Sequence, residues 1–177
     1  MKKLLALMLV LALSLTVLAG ALADTLGLGI VTNFGSHNKN AAADADGVGE
    51  VDSSICTVTV DANGVITAVY FDVAQTKVTF NAKGELTMDV AAANPSKLEK
   101  QDAYGMKKAS AIGKEWFEQA AALETFCVGK TLEQVLAGVS EDKDTAVAED
   151  LKAGATMSLG DLIGALEKAY AQAYPAK

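Results

Sequence analysis

From Val51 onward the chain alternates apolar and polar residues with a period of two, the spacing of half-buried strands. Ile55–Val60 alternates, Asp61-Ala62-Asn63-Gly64 interrupts it, and Val65–Val73 resumes with Val65, Val69, Phe71 and Val73 on one face. Asn63-Gly64 is a hairpin signal, because both residues tolerate the positive φ of a tight turn. Thr76–Phe80, the turn Asn81-Ala82-Lys83-Gly84 and then Glu85–Val90 extend the pattern to a third and a fourth strand. This predicts an antiparallel meander with one face packed and the other wetter.

Beyond a charged linker, Ala91–Tyr104, the period changes. Ile112, Trp116, Ala120, Leu123 and Cys127 recur at three and four residues, which predicts an amphipathic helix over Ile112–Val128. Glu115, Glu118, Gln119 and Glu124 are expected largely off its buried face. Gly129-Lys130 ends that helix, and Thr131 caps a shorter one, Leu132–Ala137. A last stripe of Leu159, Leu162, Ile163, Leu166 and Tyr170 predicts a helix over Leu159–Ala173, stopped by Pro175. Ser158 and Asp161 have the S-x-x-D spacing of a capping box at its start. The fold class that follows is α+β: an antiparallel β-meander of four or more strands covered by amphipathic helices.

The first 23 residues change the picture of where this happens. Lys2 and Lys3 precede the apolar run Leu4–Leu18, and Ala21-Leu22-Ala23 is a small-x-small cleavage site, so Met1–Ala23 reads as a signal peptide. An uncleaved anchor is the alternative, since Leu4–Ala23 is long enough to span a bilayer. No Cys follows the run, so it is not a lipoprotein signal. The expected protein is exported, to the cell envelope or the medium, with no transmembrane segment once the leader is removed. Residues 24–47 form a polar segment in which Leu28-Gly29-Ile30-Val31 can open as a short strand. Residues 48–177 form the α+β domain.

The formal charge is −7, and it becomes more negative when both leader lysines leave. That balance argues against nucleic acid and anionic lipid as partners. Cys56 and Cys127 fall on apolar positions and read as two buried free thiols. His37 is alone in a polar loop and lacks companions for a metal site. Asp44-Ala45-Asp46-Gly47 lacks the spacing and closing Glu of a calcium loop. Gly129-Lys130-Thr131 lacks the earlier Gly and the strand of a phosphate loop. No nucleophile–base set can be assembled, so no catalytic residue is nominated.

The richest stretch is Asp150–Asp161, where a small-residue turn feeds the last helix. Free backbone N–H groups there, backed by the helix dipole, would favour a phosphate. The pattern of Asp150, then Gly154-Ala155-Thr156, then an Ala- and Leu-rich helix resembles the C-terminal motif of the FMN-binding domain family. The order of strand, turn, strand, helix, Gly-Ala-Thr and helix also agrees with that family over most of Val48–Tyr174. The family includes flavin-carrying subunits of ion-pumping reductases and extracytoplasmic electron-transfer proteins. In it, a flavin transferase can esterify the final Thr with the phosphate of FMN.

Carried over residue by residue, the resemblance makes Thr156 the attachment site, covalent or not. Gly154, Ala155 and Ser158 would surround the phosphate, with Asp150 shaping the turn. It also implies a flavin ring near Met106 and Tyr104, a flavin transferase and extracytoplasmic redox partners. One departure is plain: Ala153 stands where the family has Ser or Thr, so the flavinylation motif is degenerate. The alternative is a non-enzymatic binding protein that keeps the fold without flavin.

Overall fold

A computed structural model describes residues 24–175, so the expected leader, Met1–Ala23, lies outside the described residues. Three antiparallel strands form one open sheet in the order β1 (Thr25–Phe34), β2 (Gly47–Val60), β3 (Ile66–Phe80). Five α-helices follow: α1 (Lys97–Lys100), α2 (Trp116–Cys127), α3 (Leu132–Leu136), α4 (Glu149–Lys152) and α5 (Gly160–Ala173). The architecture is α+β, with the helices gathered on one face.

The hairpin between β2 and β3 forms at Asp61–Val65. Gly64 has φ of 81°, and Asp61 Oδ1 accepts the N–H groups of both Asn63 and Val65 at 2.8 Å. These bonds hold the Asp61 carboxyl below its usual value, the Val65 N–H contributing most. Several expected boundaries differ. Val65–Val73 and Thr76–Phe80 are one strand, since Ala74-Gln75 pairs with Ser53 and Asp52 without a break. Glu85–Val90 is no strand: it makes a single bridge, Phe80 to Leu86, and the Thr87 hydroxyl bonds Thr79 and Asp46, while Leu86, Met88 and Val90 are left exposed. The third strand of the sheet comes instead from the polar segment, where pairing runs the whole length of Thr25–Phe34 rather than four residues.

The reason β1 reads poorly as a strand is its contact with α5. Gly27 and Gly29 face that helix, and a Cβ on either would lie 1.9 Å from a helix carbonyl oxygen, of Ala169 or Ala165. Backbone meets backbone here, so the buried side of β1 carries almost no apolar signal. Side chains of α5 also satisfy part of the exposed edge of β1. Gln172 accepts the Leu28 N–H at 3.2 Å, and Lys168 donates to the Ile30 carbonyl at 2.8 Å.

The opposite edge, β3, is managed by α2 and its exit. Gly129 N–H donates to Ile66 O, and Ile66 N–H to Lys130 O, both at 2.9 Å. Glu124 Oε1 accepts the Phe71 N–H at 2.9 Å. The core lies between: Cys56, Val58, Ile66 and Phe71 from the sheet meet Leu123 and Cys127 of α2 and Ile163 and Leu166 of α5. Both thiols are free and buried. Burial pushes the Cys56 thiol up, and that of Cys127 to about 12.

Helix α2 begins at Trp116, not at Ile112, because Gly113 (φ 63°) turns the chain just before it. Glu115 and Gln119, expected off the buried face, are both nearly inaccessible. His37 is not merely solvated either. Its Nδ1 lies 2.9 Å from Glu50 Oε1, a carboxylate also paired with Lys77 at 2.7 Å.

Candidate functional site

The turn after α4 is where the sequence places its candidate residues, and the structure separates them. Asp150 lies in α4 with an exposed side chain whose Oδ1 accepts its neighbour's N–H, that of Leu151. Gly154 is buried because α2 crosses it, and a Cβ there would lie 2.5 Å from Ala122 Cβ. Ala155 is buried in the core. Thr156 is exposed, and Met157 beside it is buried.

The start of α5 is also arranged differently from expectation. The N-cap position is Leu159, with no side-chain cap, so the Ser158–Asp161 capping box does not form. Asp144 from the preceding loop does that work. Its carboxylate accepts the Ser158 hydroxyl and the Gly160 N–H, and its carbonyl accepts the Leu159 N–H at 2.9 Å. Asp161 instead receives Asn33 Nδ2 at 2.6 Å, tying α5 to the end of β1. Ser158 thereby bonds an acid rather than presenting a free hydroxyl to a phosphate.

Four of the N–H groups expected to be free at the turn, those of Gly154 to Met157, are engaged. Gly154 and Ala155 donate to Leu151 O at 2.9 and 2.8 Å. Thr156 and Met157 both donate to Gln119 Oε1, at 2.8 and 3.0 Å. One buried amide oxygen thus occupies the point where a phosphate oxygen would sit.

Gln119 is fixed from its other end as well. Its Nε2 lies 3.1 Å from Ser110 Oγ and from Lys114 O, and 3.4 Å from Met106 Sδ. The residue therefore bolts the turn to the Met106–Lys114 loop. That loop is held in turn by Glu115, whose carboxylate accepts the N–H groups of Met106 and Lys107 at 2.8 and 3.1 Å.

A cleft of about 240 Å³ opens between loop and turn, lined by Met106, Ala109, Ser110, Ala111, Gln119, Thr156 and Met157. Its wall is largely apolar, with a few polar atoms at fixed places, as small-molecule sites are. Thr156 Oγ1 is 3.5 Å from Gln119 Oε1, at the limit of a hydrogen bond, so its hydroxyl is lightly held. Lys114 Nζ reaches the Ala153 carbonyl at 3.4 Å, placing one cation beside the turn of an otherwise acidic chain. Tyr104 is not among the lining residues; Lys97 Nζ sits 5.3 Å from its ring centre. Among the described residues no group of three or more His, Cys, Asp or Glu side chains comes together to hold a metal.

Of the residues nominated from the sequence, Thr156 and Met106 line one cleft, and Gln119, which joins them, was not nominated. The signal for Gln119 was present: it stands three residues after Trp116, on the buried side of the helix. Ser110, Lys114 and Asp144 carried no comparable signal, because their roles depend on tertiary approach. Compared with family models, with curated proteins and with solved structures, the chain matches none.

Proposed function

We propose that this chain is an exported FMN-binding-type domain that carries FMN as a phosphoester on Thr156 and passes electrons outside the membrane. The observation that carries the reading is the exposed Thr156 hydroxyl beside the Met106–Ala111 cleft, on a turn whose amides from Gly154 to Met157 are engaged. A non-covalent phosphate needs free N–H donors, and Gln119 has taken those nearest. A phosphoester needs only the hydroxyl oxygen. The apolar wall at Met106, Ala109 and Ala111 suits one face of a flavin ring, and the Lys114 ammonium suits the phosphate charge. FMN would supply the redox chemistry; the chain would hold the phosphate, shield the ring and set its surroundings. A flavin transferase and extracytoplasmic redox partners complete this reading.

In the attachment step the Thr156 oxygen bonds to the FMN phosphorus and loses its proton. A phosphoanhydride donor such as a flavin dinucleotide loses its nucleoside monophosphate as the leaving group. The test is intact mass after co-expression with a flavin transferase. The expected gain is one FMN less one water, absent in Thr156→Val. A colourless protein of unmodified mass, with transferase and flavin both present, would sink it. One observation favours the second reading, a binding protein that keeps the fold without flavin: Ala153 removes a hydroxyl from the turn.

A further inference from the structure

We propose that the open face of the sheet is a self-association surface, through which two copies of this chain pack sheet against sheet. The helices cover one face of the three strands; among the described residues the other face is open, except at its far end, where Gly47 is buried against Phe80 and Ala41 and Asn94 donates to Thr76. Strand register shows what lies on it. Leu28, Thr57 and Tyr70 stand in one cross-strand row; Ile30, Ile55 and Asp72 stand in the next. The Thr32 and Ser53 hydroxyls, 3.0 Å apart, continue the same face. Leu26, Leu28, Ile30, Phe34, Tyr70 and Val78 all project from it and are exposed, Phe34 to 86%. Single exposed apolar residues need no explanation, but a contiguous patch of this kind marks an interaction surface.

Charge narrows the occupant to a second copy. Asp72 is the one charged residue at the outward positions of the three strands, in a chain that is 21% charged. Its carboxylate is turned to the β3 edge, where it accepts the N–H groups of Val73 and Leu98. A face of apolar and hydroxyl side chains can meet an identical face without burying an unpaired charge. A charged partner would find nothing to pair with here, and the net acidity of the chain disfavours an anionic membrane.

Size and edges agree. Three strands at about 4.8 Å spacing and about 3.3 Å per residue give a footprint of roughly 600 Å² per copy, including the longer β2–β3 ribbon. Two copies would bury roughly 1,200 Å², the lower bound for a stable interface. A two-fold axis through the face makes the contact self-complementary and closed. Pairing through the β1 edge is obstructed instead, because Gln172 and Lys168 occupy part of its backbone row.

The test is sedimentation and light scattering of the protein beginning at Asp24, whose core lies wholly within the described residues. The expected result is a dimer at tens of micromolar that tightens as salt rises, since the two acidic bodies repel and salt screens them. Leu28→Lys and Tyr70→Lys should each weaken it at least tenfold, and together abolish it. Circular dichroism should stay unchanged, because both side chains are about half exposed in the single copy. A monomer at several hundred micromolar overturns the proposal. So does a dimer that survives the double variant, or flotation of the monomer with zwitterionic vesicles.

Discussion

Helices α5 and α2 close the same core by opposite means. Helix α5 meets β1 through bare backbone: Gly27 and Gly29 leave no space between strand and helix. Helix α2 meets its surroundings through polar side chains, the buried Gln119 toward the turn and the half-buried Glu124 toward β3. The first contact is steric and tolerates almost no change. The second is a set of hydrogen bonds that could be rearranged while the helix stays in place. That difference separates the part of the molecule that holds the fold from the part that shapes the candidate site.

The largest effect should come from the steric side. Gly29→Ala puts a Cβ 1.9 Å from the Ala165 carbonyl oxygen, and neither strand nor helix backbone can yield locally. We expect a loss at or above roughly 3 kcal/mol, the upper end of the usual range for overpacking, read in urea unfolding. Gly49→Ala in β2 is the control. Its Cβ would find only Val78 Cγ2 at 3.8 Å, so a change between neutral and about 1 kcal/mol stabilising is expected. Equal effects at the two positions would mean that α5 does not sit on β1 as described.

A smaller and more local effect should follow from Gln119→Leu. The Thr156 and Met157 N–H groups would lose their acceptor, and a buried donor left unpaired costs about 1–3 kcal/mol. Hydrogen exchange should then speed up at amides 156 and 157 well before it does at the β2–β3 core. If the turn stayed protected in that variant, Gln119 would not be what holds it. The same variant sharpens the flavin reading, because it frees two donors for a phosphate. A gain of non-covalent FMN binding in Gln119→Leu, with none in the parent chain, would show that the amide oxygen excludes the anion.

The contrast also explains what the sequence made legible. The β2–β3 hairpin was readable because its alternation and the Asp61–Gly64 turn are local, and the long helices because their stripes are strongly periodic. β1 was underestimated because its buried residues are glycines, which pack closely but contribute no hydrophobic pattern. Glu85–Val90 looked like a strand because it alternates, yet alternation alone does not supply a partner strand, and only Leu86 finds one. At the site, Thr156 and its helix were legible as a motif. The partners that decide whether its amides are free come from α2, over thirty residues earlier in the chain.

The smallest effects lie in two carboxylates whose environments push in opposite directions. For Glu50, burial would raise the carboxyl, but hydrogen bonds from His37 and Lys77 outweigh it and hold it below the ordinary value. Such a group stabilises the fold above the unfolded carboxylate pKa, about 4.3, and that contribution is lost as pH falls through the lower, folded value. For Glu124, burial dominates and the Phe71 N–H only partly offsets it, so its carboxyl titrates above the ordinary value. Its contribution is full below the unfolded pKa and declines as pH rises through the folded one. Glu50→Gln should therefore destabilise at pH 7, by less than about 1 kcal/mol because both partners are partly exposed to solvent. Glu124→Gln keeps an oxygen for the Phe71 N–H and carries no charge, so it should stabilise at pH 7. Both differences should shrink as the pH is lowered, that of Glu124 first, because its carboxyl titrates above the ordinary value, and that of Glu50 last, because its carboxyl titrates below it. Urea melts of the two variants beside the parent at pH 7 and pH 3 read both signs. Two variants shifted in the same direction at pH 7 would contradict the opposed environments, and a Glu50→Gln deficit wholly unchanged between pH 7 and pH 3 would show its cost to be packing rather than charge.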